Sequence, residues 1–307
     1  MQIDDFPKNL PEFELRFPNE AACRAFLVGV RWPDGFSCPR CSSTGWQLET
    51  RPLFECVEGH QTSITSGTVF HGTRRPLLVW FRAIFLMSAQ KSGLSAKNLM
   101  RLLGMRSYQT AWHWLHKLRR ATVLQGRTQL SGEVELDECF LHGESKGEGR
   151  GCALPVVIGA VEAGAGKGIG RTRLEFLPSH EKEPIVGFIE RTISPGTVVN
   201  TDGLQTYQYH VPALGYVHRR HVKNPRAMPA IHRVFGLLQR WLLGTHHGAV
   251  SRKHLGWYLS EFAFRFNRRH SNHPGKLFAR MIEGAITTPA LEWRQLVGER
   301  TSFTGAV

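Results

Sequence analysis

The second half of the chain alternates between runs typical of β-strands and a run typical of an amphipathic helix. Three β-rich runs, residues 134–143, 153–163 and 172–179, precede a helical run at 181–193 and a further β-rich run at 197–202. Consecutive strands favour a meander, and a helix that crosses to the next strand favours an α/β layer. The order therefore predicts an α/β fold with a mixed sheet flanked by helices.

Two strand-like segments, 133–137 and 197–202, each end on an aspartate, Asp137 and Asp202. Carboxylates held at strand ends can converge on Mg²⁺, which prefers oxygen ligands, and two such ions can clamp both reacting oxygens of a phosphodiester. An aspartate before a glycine, as at Asp202, is also a common turn residue. His232, on the helical run 230–244, is the candidate third ligand. A lone histidine on an amphipathic helix is equally often a core-packing residue or a surface residue.

The balance of charge favours a polyanionic partner. The 307 residues include 39 Lys and Arg against 25 Asp and Glu, which gives a net charge of +14. Such an excess indicates nucleic acid first, although any single basic cluster is also typical of a solvated helix end. The candidate DNA contacts in the second half are Arg219, Arg220, Lys223, Arg240, Arg268 and Arg269.

Three of the six cysteines lie close together near the start of the chain. Cys38 and Cys41 form a CxxC pair, and Cys56 follows after 14 residues, with His60 four residues later. Thiolates and an imidazole suit tetrahedral Zn²⁺, and a small segment gains folding energy from the metal. This pattern predicts a zinc ribbon within residues 1–72, with Cys38, Cys41, Cys56 and His60 as ligands.

Three helical runs, 77–90, 96–104 and 108–121, follow the ribbon, and Ser95 and Ser107 are placed to cap the second and third. Short helices with tight turns fit a DNA-binding helix-turn-helix unit over residues 73–128, and a plain helical linker is the alternative. In the DNA-binding interpretation the third helix presents its contacts: Gln109, Thr110, His113, Lys117, Arg119 and Arg120.

No apolar run approaches the roughly 18–20 residues of a membrane span, and the first residues lack the layout of a signal peptide. We therefore expect a cytoplasmic protein without a membrane partner.

Several segments together resemble bacterial insertion-sequence transposases of the ISXO type. They are WPDGFSCPRC, TSGTVFHGTRRPL, VELDECF, NTDG and HLGWYLSEFAFRFNRR. The resemblance implies a zinc ribbon, a helical DNA-binding region, a ribonuclease-H-like catalytic domain over residues 129–275 and a C-terminal tail over 276–307.

The resemblance also implies a catalytic site with Mg²⁺ or Mn²⁺ held by Asp137, Asp202 and a third residue. Relatives commonly have Asn, Glu and a later Lys in the third region, where this chain has His232 and Gln239. A neutral imidazole contributes no negative charge to such a site. Glu135 and Glu138 flank Asp137 as candidate helpers, and strand alternation is expected to turn both away from its face.

The activity implied is transposition in two steps. Cleavage at the terminal inverted repeats frees a 3′-hydroxyl, which then attacks target DNA in line. The resemblance further implies double-stranded DNA as partner, a homo-oligomer on DNA and a location at the bacterial nucleoid. Two alternatives remain: a transposase-derived DNA-binding protein with impaired catalysis, and a zinc-ribbon transcription regulator.

Overall fold

The computed structural model describes residues 6–123, 126–141, 156–163, 168–179, 181–222, 224–248, 250–271 and 273–297. These residues form two compact units. The first unit contains the described residues up to Thr122 and those from Ser271 onward, and the second contains the residues between them.

The helices of both units are numbered in chain order. They are α1 (Leu10–Arg16), α2 (Glu20–Arg31), α3 (Leu77–Ala89), α4 (Ala96–Leu102), α5 (Tyr108–Arg120), α6 (Lys182–Thr192), α7 (Gln205–Ala213), α8 (Pro229–His246), α9 (Arg252–Phe266), α10 (Pro274–Thr287) and α11 (Trp293–Val297). The strands are β1 (Gly45–Gln47), β2 (Leu53–Cys56), β3 (Gln61–Ser63), β4 (Glu133–Phe140), β5 (Val156–Ala163), β6 (Ile169–Leu177), β7 (Val198–Thr201) and β8 (Val217–Arg220).

The first unit joins a small antiparallel sheet, in the order β1-β2-β3, to a group of helices. The predicted helix caps are confirmed. The Ser95 hydroxyl accepts a hydrogen bond from the backbone N–H of Asn98 at 3.2 Å, and Ser107 accepts one from Thr110 at 3.4 Å. Each cap satisfies a first-turn N–H group that has no partner within its own helix.

The C-terminal segment differs from the tail that we predicted over residues 276–307. Its helix α10 packs against α3, and the Phe278 ring is fully buried among aromatic rings that include Phe13 and Phe81. Burial of large aromatic side chains is strongly favourable. The segment therefore belongs to the core of the first unit, whose other part ends at Thr122 rather than at the predicted boundary of 128.

The second unit contains a five-stranded mixed sheet in the order β6-β5-β4-β7-β8. Strands β4, β5 and β6 are antiparallel neighbours, as the predicted meander requires, and β7 pairs in parallel with both β4 and β8. Helix α6 makes the predicted crossover between β6 and β7. Strand β8 was not predicted.

Helices cover both faces of this sheet. Helices α6 and α7 bury one core with Leu136 and Val199, and helices α8 and α9 bury the other with Val157. Gly159 on β5 allows the close approach of α8, because a Cβ built there lies 2.8 Å from Phe235 and 2.9 Å from Ile231. Gly159 is the register partner of Asp137, so this contact sets the distance between α8 and the predicted site.

A membrane-spanning helix was sought among the described residues, and none of their helices has the length and apolar character to cross a bilayer.

Candidate functional site

The two predicted aspartates lie at matching positions of neighbouring strands; Asp202 follows the end of β7 as predicted, whereas Asp137 lies within β4, which continues to Phe140. Parallel strands β4 and β7 pair Leu136 with Thr201, so the next residue on each strand is an aspartate, Asp137 or Asp202. The predicted third ligand comes from α8, where Nε2 of His232 lies 3.0 Å from Oδ2 of Asp137. Two strands and a helix therefore supply the three predicted side chains.

The carboxyl group of Asp137 is only 14% exposed. Burial raises its pKa, the backbone N–H of Glu138 lowers it, and the nearby charge of Asp202 raises it again. A bound cation would relieve both the burial of charge and the repulsion between the two carboxylates. The electrostatics of the pair thus fit a cation site.

The three side chains are not drawn together as tightly as a formed metal cluster. Within the described ranges, the ribbon quartet is the only group of three or more His, Cys, Asp or Glu residues whose ligand atoms all lie within 4.8 Å of one another. Leu204 donates its backbone N–H to Oδ1 of Asp202 at 2.9 Å, which holds this carboxylate at the strand end.

Glu138 lies on the opposite face of β4, as strand alternation requires, and the Tyr207 hydroxyl donates a hydrogen bond to its carboxyl group. The pKa of Glu138 is raised to about 7. Burial is the largest cause, the hydrogen bond from Tyr207 opposes the rise, and the charges of Asp137 and Asp202 add to it. Glu138 thus lies on the side of the sheet that faces α7, away from the contact between Asp137 and His232.

Glu135 does not turn away from the face of Asp137, and our expectation was wrong on this point. Residues two apart on a strand share a face, and the buried Glu135 carboxylate accepts the backbone N–H of Ile231 on α8 at 2.8 Å. The period of two in the run 133–137 was the signal that places Glu135 beside Asp137.

Beside β7 and β8 lies a polar network whose members Asn200, Glu133 and His221 were not predicted. Asn200 on β7 is buried; its Nδ2 donates to Glu133 at 3.0 Å, and its Oδ1 lies 2.9 Å from Nε2 of His221. Arg219 pairs with the same Glu133 carboxylate at 3.1 Å. This network borders the face on which Asp137 lies.

The four predicted zinc ligands come together in the first unit. The ligand atoms of Cys38, Cys41, Cys56 and His60 all lie within 4.8 Å of one another, with 3.7 Å between the sulfurs of Cys41 and Cys56 and 3.6 Å from Cys56 Sγ to His60 Nδ1. Such separations fit a tetrahedral ion with bonds of about 2.0–2.3 Å. Hydrogen bonds from Ser43 lower the pKa of Cys41 to about 6, which favours the thiolate that zinc requires.

The predicted DNA-contact face of α5 is largely covered. Arg119 is 1% exposed, so the structure does not support it as a DNA contact. His113 packs against Trp293 at a ring-centroid distance of 5.6 Å, and burial first, then Lys117, lower the pKa of His113 to about 4. Arg120 is also partly buried. Gln109 is exposed and Thr110 half-buried in the first turn of α5, and those two remain accessible.

The basic candidates of the second unit differ in exposure. Arg219 and Arg220 are exposed on β8, and Arg220 donates to the carbonyl of Gly203, the residue after Asp202, at 2.9 Å. Arg240 is exposed on α8. Arg269 donates to the backbone carbonyls of Ile169, Gly170 and Phe266, and Lys223 lies outside the described residues.

Arg268 is half-buried and lies over the Phe264 ring, 4.2 Å from its centroid. It also lies near two arginines that the sequence analysis did not single out. Burial, followed by the charges of Arg173 and Arg268, lowers the pKa of Arg127 to about 10. These three side chains form a cationic cluster in the second unit.

Gln239 points to the same strand as His232. It stands at the position where relatives commonly have Lys. Its Nε2 donates to the carbonyl of Phe140 at 3.4 Å, three residues after Asp137 on β4. Residues seven apart on a helix share a face, so α8 presents both side chains to β4.

Comparisons with known proteins agree with the predicted family. The model of the ISXO2-like transposase domain matches residues 129–267, and that of the transposase zinc-ribbon domain matches residues 18–61. No match was found among curated proteins.

Two solved structures of retroviral proteins are similar to this chain. The catalytic core domain of BIV integrase is 14% identical, with 46% of this chain and 87% of that chain covered and a TM-score of 0.34. A simian T-cell lymphotropic virus intasome in complex with PP2A regulatory subunit B56 gamma is 14% identical, with 60% and 68% covered and a TM-score of 0.33.

The observed sheet and the zinc-ribbon match confirm the predicted α/β fold with a mixed sheet flanked by helices and preceded by a zinc ribbon. The two family models together span more than half of the chain. The chain belongs to the family of ISXO2-like transposases that carry a transposase zinc ribbon.

Proposed function

We propose that this transposase cleaves the ends of an insertion sequence and joins them to target DNA with the help of divalent metal ions. The observation that supports the proposal is that Asp137 and Asp202 lie at matching positions of the neighbouring parallel strands β4 and β7, with His232 held against Asp137. All three lie within residues 129–267, which match the ISXO2-like transposase domain.

Asp137, Asp202 and His232 would hold the catalytic ions. Two carboxylates suit Mg²⁺ or Mn²⁺, and an imidazole is better tolerated by Mn²⁺ than by Mg²⁺. When bound, such ions polarise a phosphodiester and the oxygen that attacks it. We therefore expect Mn²⁺ to support higher activity than Mg²⁺ at equal concentration.

The remaining contributions come from the chain's own residues. The paired strands β4 and β7 hold the two aspartates rigidly, and the backbone N–H of Leu204 orients Asp202. The exposed guanidinium of Arg220, fixed to the Gly203 carbonyl, is placed to contact a DNA phosphate next to Asp202.

The proposed partner is double-stranded DNA, both at the terminal inverted repeats and at the target site, bound by a homo-oligomer. The net charge of +14 supports a polyanionic partner. The exposed basic side chains of the second unit are the proposed backbone contacts: Arg219, Arg220 and Arg240. In the first unit, Cys38, Cys41, Cys56 and His60 would hold Zn²⁺, which would stabilise the ribbon.

The test is a cleavage and strand-transfer assay on DNA that carries the element's inverted repeats, with Mg²⁺ or Mn²⁺. The native protein is expected to produce nicked ends and joined products, and Asp137→Asn is expected to produce neither. Glu175→Gln is the control, because Glu175 pairs with Arg191 away from the aspartates. Equal products from the native protein and Asp137→Asn would refute the proposal.

The neutral imidazole at the third position favours one competing function, a DNA-binding protein of transposase descent with impaired catalysis. That protein would bind the inverted repeats with normal affinity yet yield no cleavage with either metal. Metal-dependent cleavage by the native chain eliminates this alternative, and it eliminates a transcription regulator as well.

A further inference from the structure

Helix α8 begins without a capping side chain of its own. Its first residue is Pro229, and among the described residues no side chain from the N-cap position accepts a hydrogen bond from the first turn. The first N–H groups of a helix have no partner within the helix and need an acceptor from elsewhere when they are buried. Ala230 and Ile231 are both buried, so their N–H groups need such an acceptor.

Glu135 on β4 is that acceptor. Its Oε2 accepts the backbone N–H of Ile231 at 2.8 Å. The residue is 5% exposed. A carboxylate at a helix N-terminus is favoured by the helix dipole and by the unpaired N–H groups together.

The contact fixes the residue that precedes His232. Ile231 is held by Glu135, and the imidazole of His232 meets Asp137, two residues further along the same face of β4. One strand therefore holds both the backbone at the start of α8 and the side chain that the helix delivers. A shift of the first turn would move the imidazole away from Asp137.

We propose that Glu135 is a positioning residue of the catalytic site: it anchors the first turn of α8 and so holds the His232 imidazole against Asp137. The proposal rests on the proposed function, in which His232 is a metal ligand. In this proposal Glu135 acts through His232, because the hydrogen bond of its Oε2 goes to the backbone of α8 at Ile231.

The test is a double-mutant cycle on the Mn²⁺ dissociation constant, measured by calorimetry on the full chain with zinc in its ribbon. Glu135→Gln keeps the size of the side chain but removes the charge, and it is made in the native and in the His232→Ala backgrounds. Glu133→Gln is the charge control, since it removes a carboxylate from the same face of β4 without a contact to α8. The cycle separates an effect through His232 from a direct one.

Glu135→Gln is expected to raise the Mn²⁺ dissociation constant about tenfold in the native background, as is usual for residues that orient a ligand. In the His232→Ala background its effect is expected to fall to that of Glu133→Gln. An equal effect of Glu135→Gln in both backgrounds would overturn the proposal, because Glu135 would then act directly on the metal. An effect no larger than that of Glu133→Gln in the native background would overturn it too.

A second measurement does not depend on the metal. Histidine-selective ¹⁵N NMR of the chain without a divalent ion in this site reports the hydrogen bond at Nε2 of His232. Glu135→Gln is expected to weaken that bond, and Glu133→Gln to leave it unchanged. If the native chain bound no Mn²⁺, the proposed function would fail, whereas an unchanged His232 signal in Glu135→Gln would overturn the role of Glu135 by itself.

Discussion

Replacement of Gly159 by alanine tests how closely α8 must approach the sheet. The added Cβ would lie 2.8 Å from Cε1 of Phe235 and 2.9 Å from the terminal methyl carbons of Ile231 and Leu174. Carbon atoms in contact ordinarily lie about 3.5–4.0 Å apart, so each of these contacts is about 0.6 Å or more too short. Ile231 is fully buried and Phe235 nearly so, and neither side chain can swing into solvent.

The expected cost is that of an overpacked core, about 2 kcal/mol. For a unit of roughly 150 residues this corresponds to a fall of about 4–8 °C in melting temperature. The strain is relieved most easily if α8 moves away from β5. That movement would also separate His232 from Asp137, which lies opposite Gly159 in the register.

Two measurements follow the change: thermal unfolding of the chain, and amide hydrogen exchange in peptides from α8. Gly159→Ala is expected to lower the melting temperature and to speed exchange in α8. Gly236→Ala is the matched control, because a Cβ there meets no described atom within 4 Å and alanine favours a helix by about 1 kcal/mol. A Gly159→Ala protein with native stability and native exchange in α8 would refute the account of how α8 packs.

Three further predictions concern other parts of the molecule. Cys38→Ser is expected to lose the one zinc ion per chain that elemental analysis should detect, whereas Cys23→Ser is expected to keep it, because Cys23 lies outside the quartet. The lowered pKa of His113 means that the unfolded chain binds a proton more readily, so stability should fall as the pH drops from 6.5 towards 4. Urea unfolding at pH 7 and pH 5 should show a loss of about 1–2 kcal/mol, reduced for partial exposure and absent in His113→Gln. Arg220→Ala should weaken DNA binding to all sequences and lower the slope of affinity against salt by about one; an unchanged slope in a fluorescence-anisotropy titration would exclude a phosphate contact.

The features that could be predicted from sequence are those set by local pattern. The CxxC pair and the following Cys and His, the serine caps and the aspartates at the ends of apolar runs each depend on a few neighbouring residues. Strand alternation also places Glu135 on the face of Asp137, and our expectation for Glu135 failed because that period was misapplied. The expected separation of Glu138 from that face was correct.

Other features depend on contacts between distant residues. Strand β8 has only four residues, and its polar sequence becomes a strand through pairing with β7. Helix α10 was assigned to the predicted tail because the burial of Phe278 depends on contacts with distant residues, including Phe13 on α1 and Phe81 on α3. Arg119 belongs to a basic run typical of DNA contacts, and its burial comes from packing within the first unit. The secondary-structure propensities of single residues carry no information about such contacts between distant residues.

Asp137, Asp202 and His232 are proposed to form a divalent-cation site together, and anomalous diffraction from crystals of the zinc-loaded chain soaked in Mn²⁺ would locate the ion. A manganese peak bonded to oxygens of Asp137 and Asp202 and to Nε2 of His232 is expected, and no such peak in Asp137→Asn. A well-ordered site with no manganese peak, or manganese bound only elsewhere on the chain, would contradict the proposal.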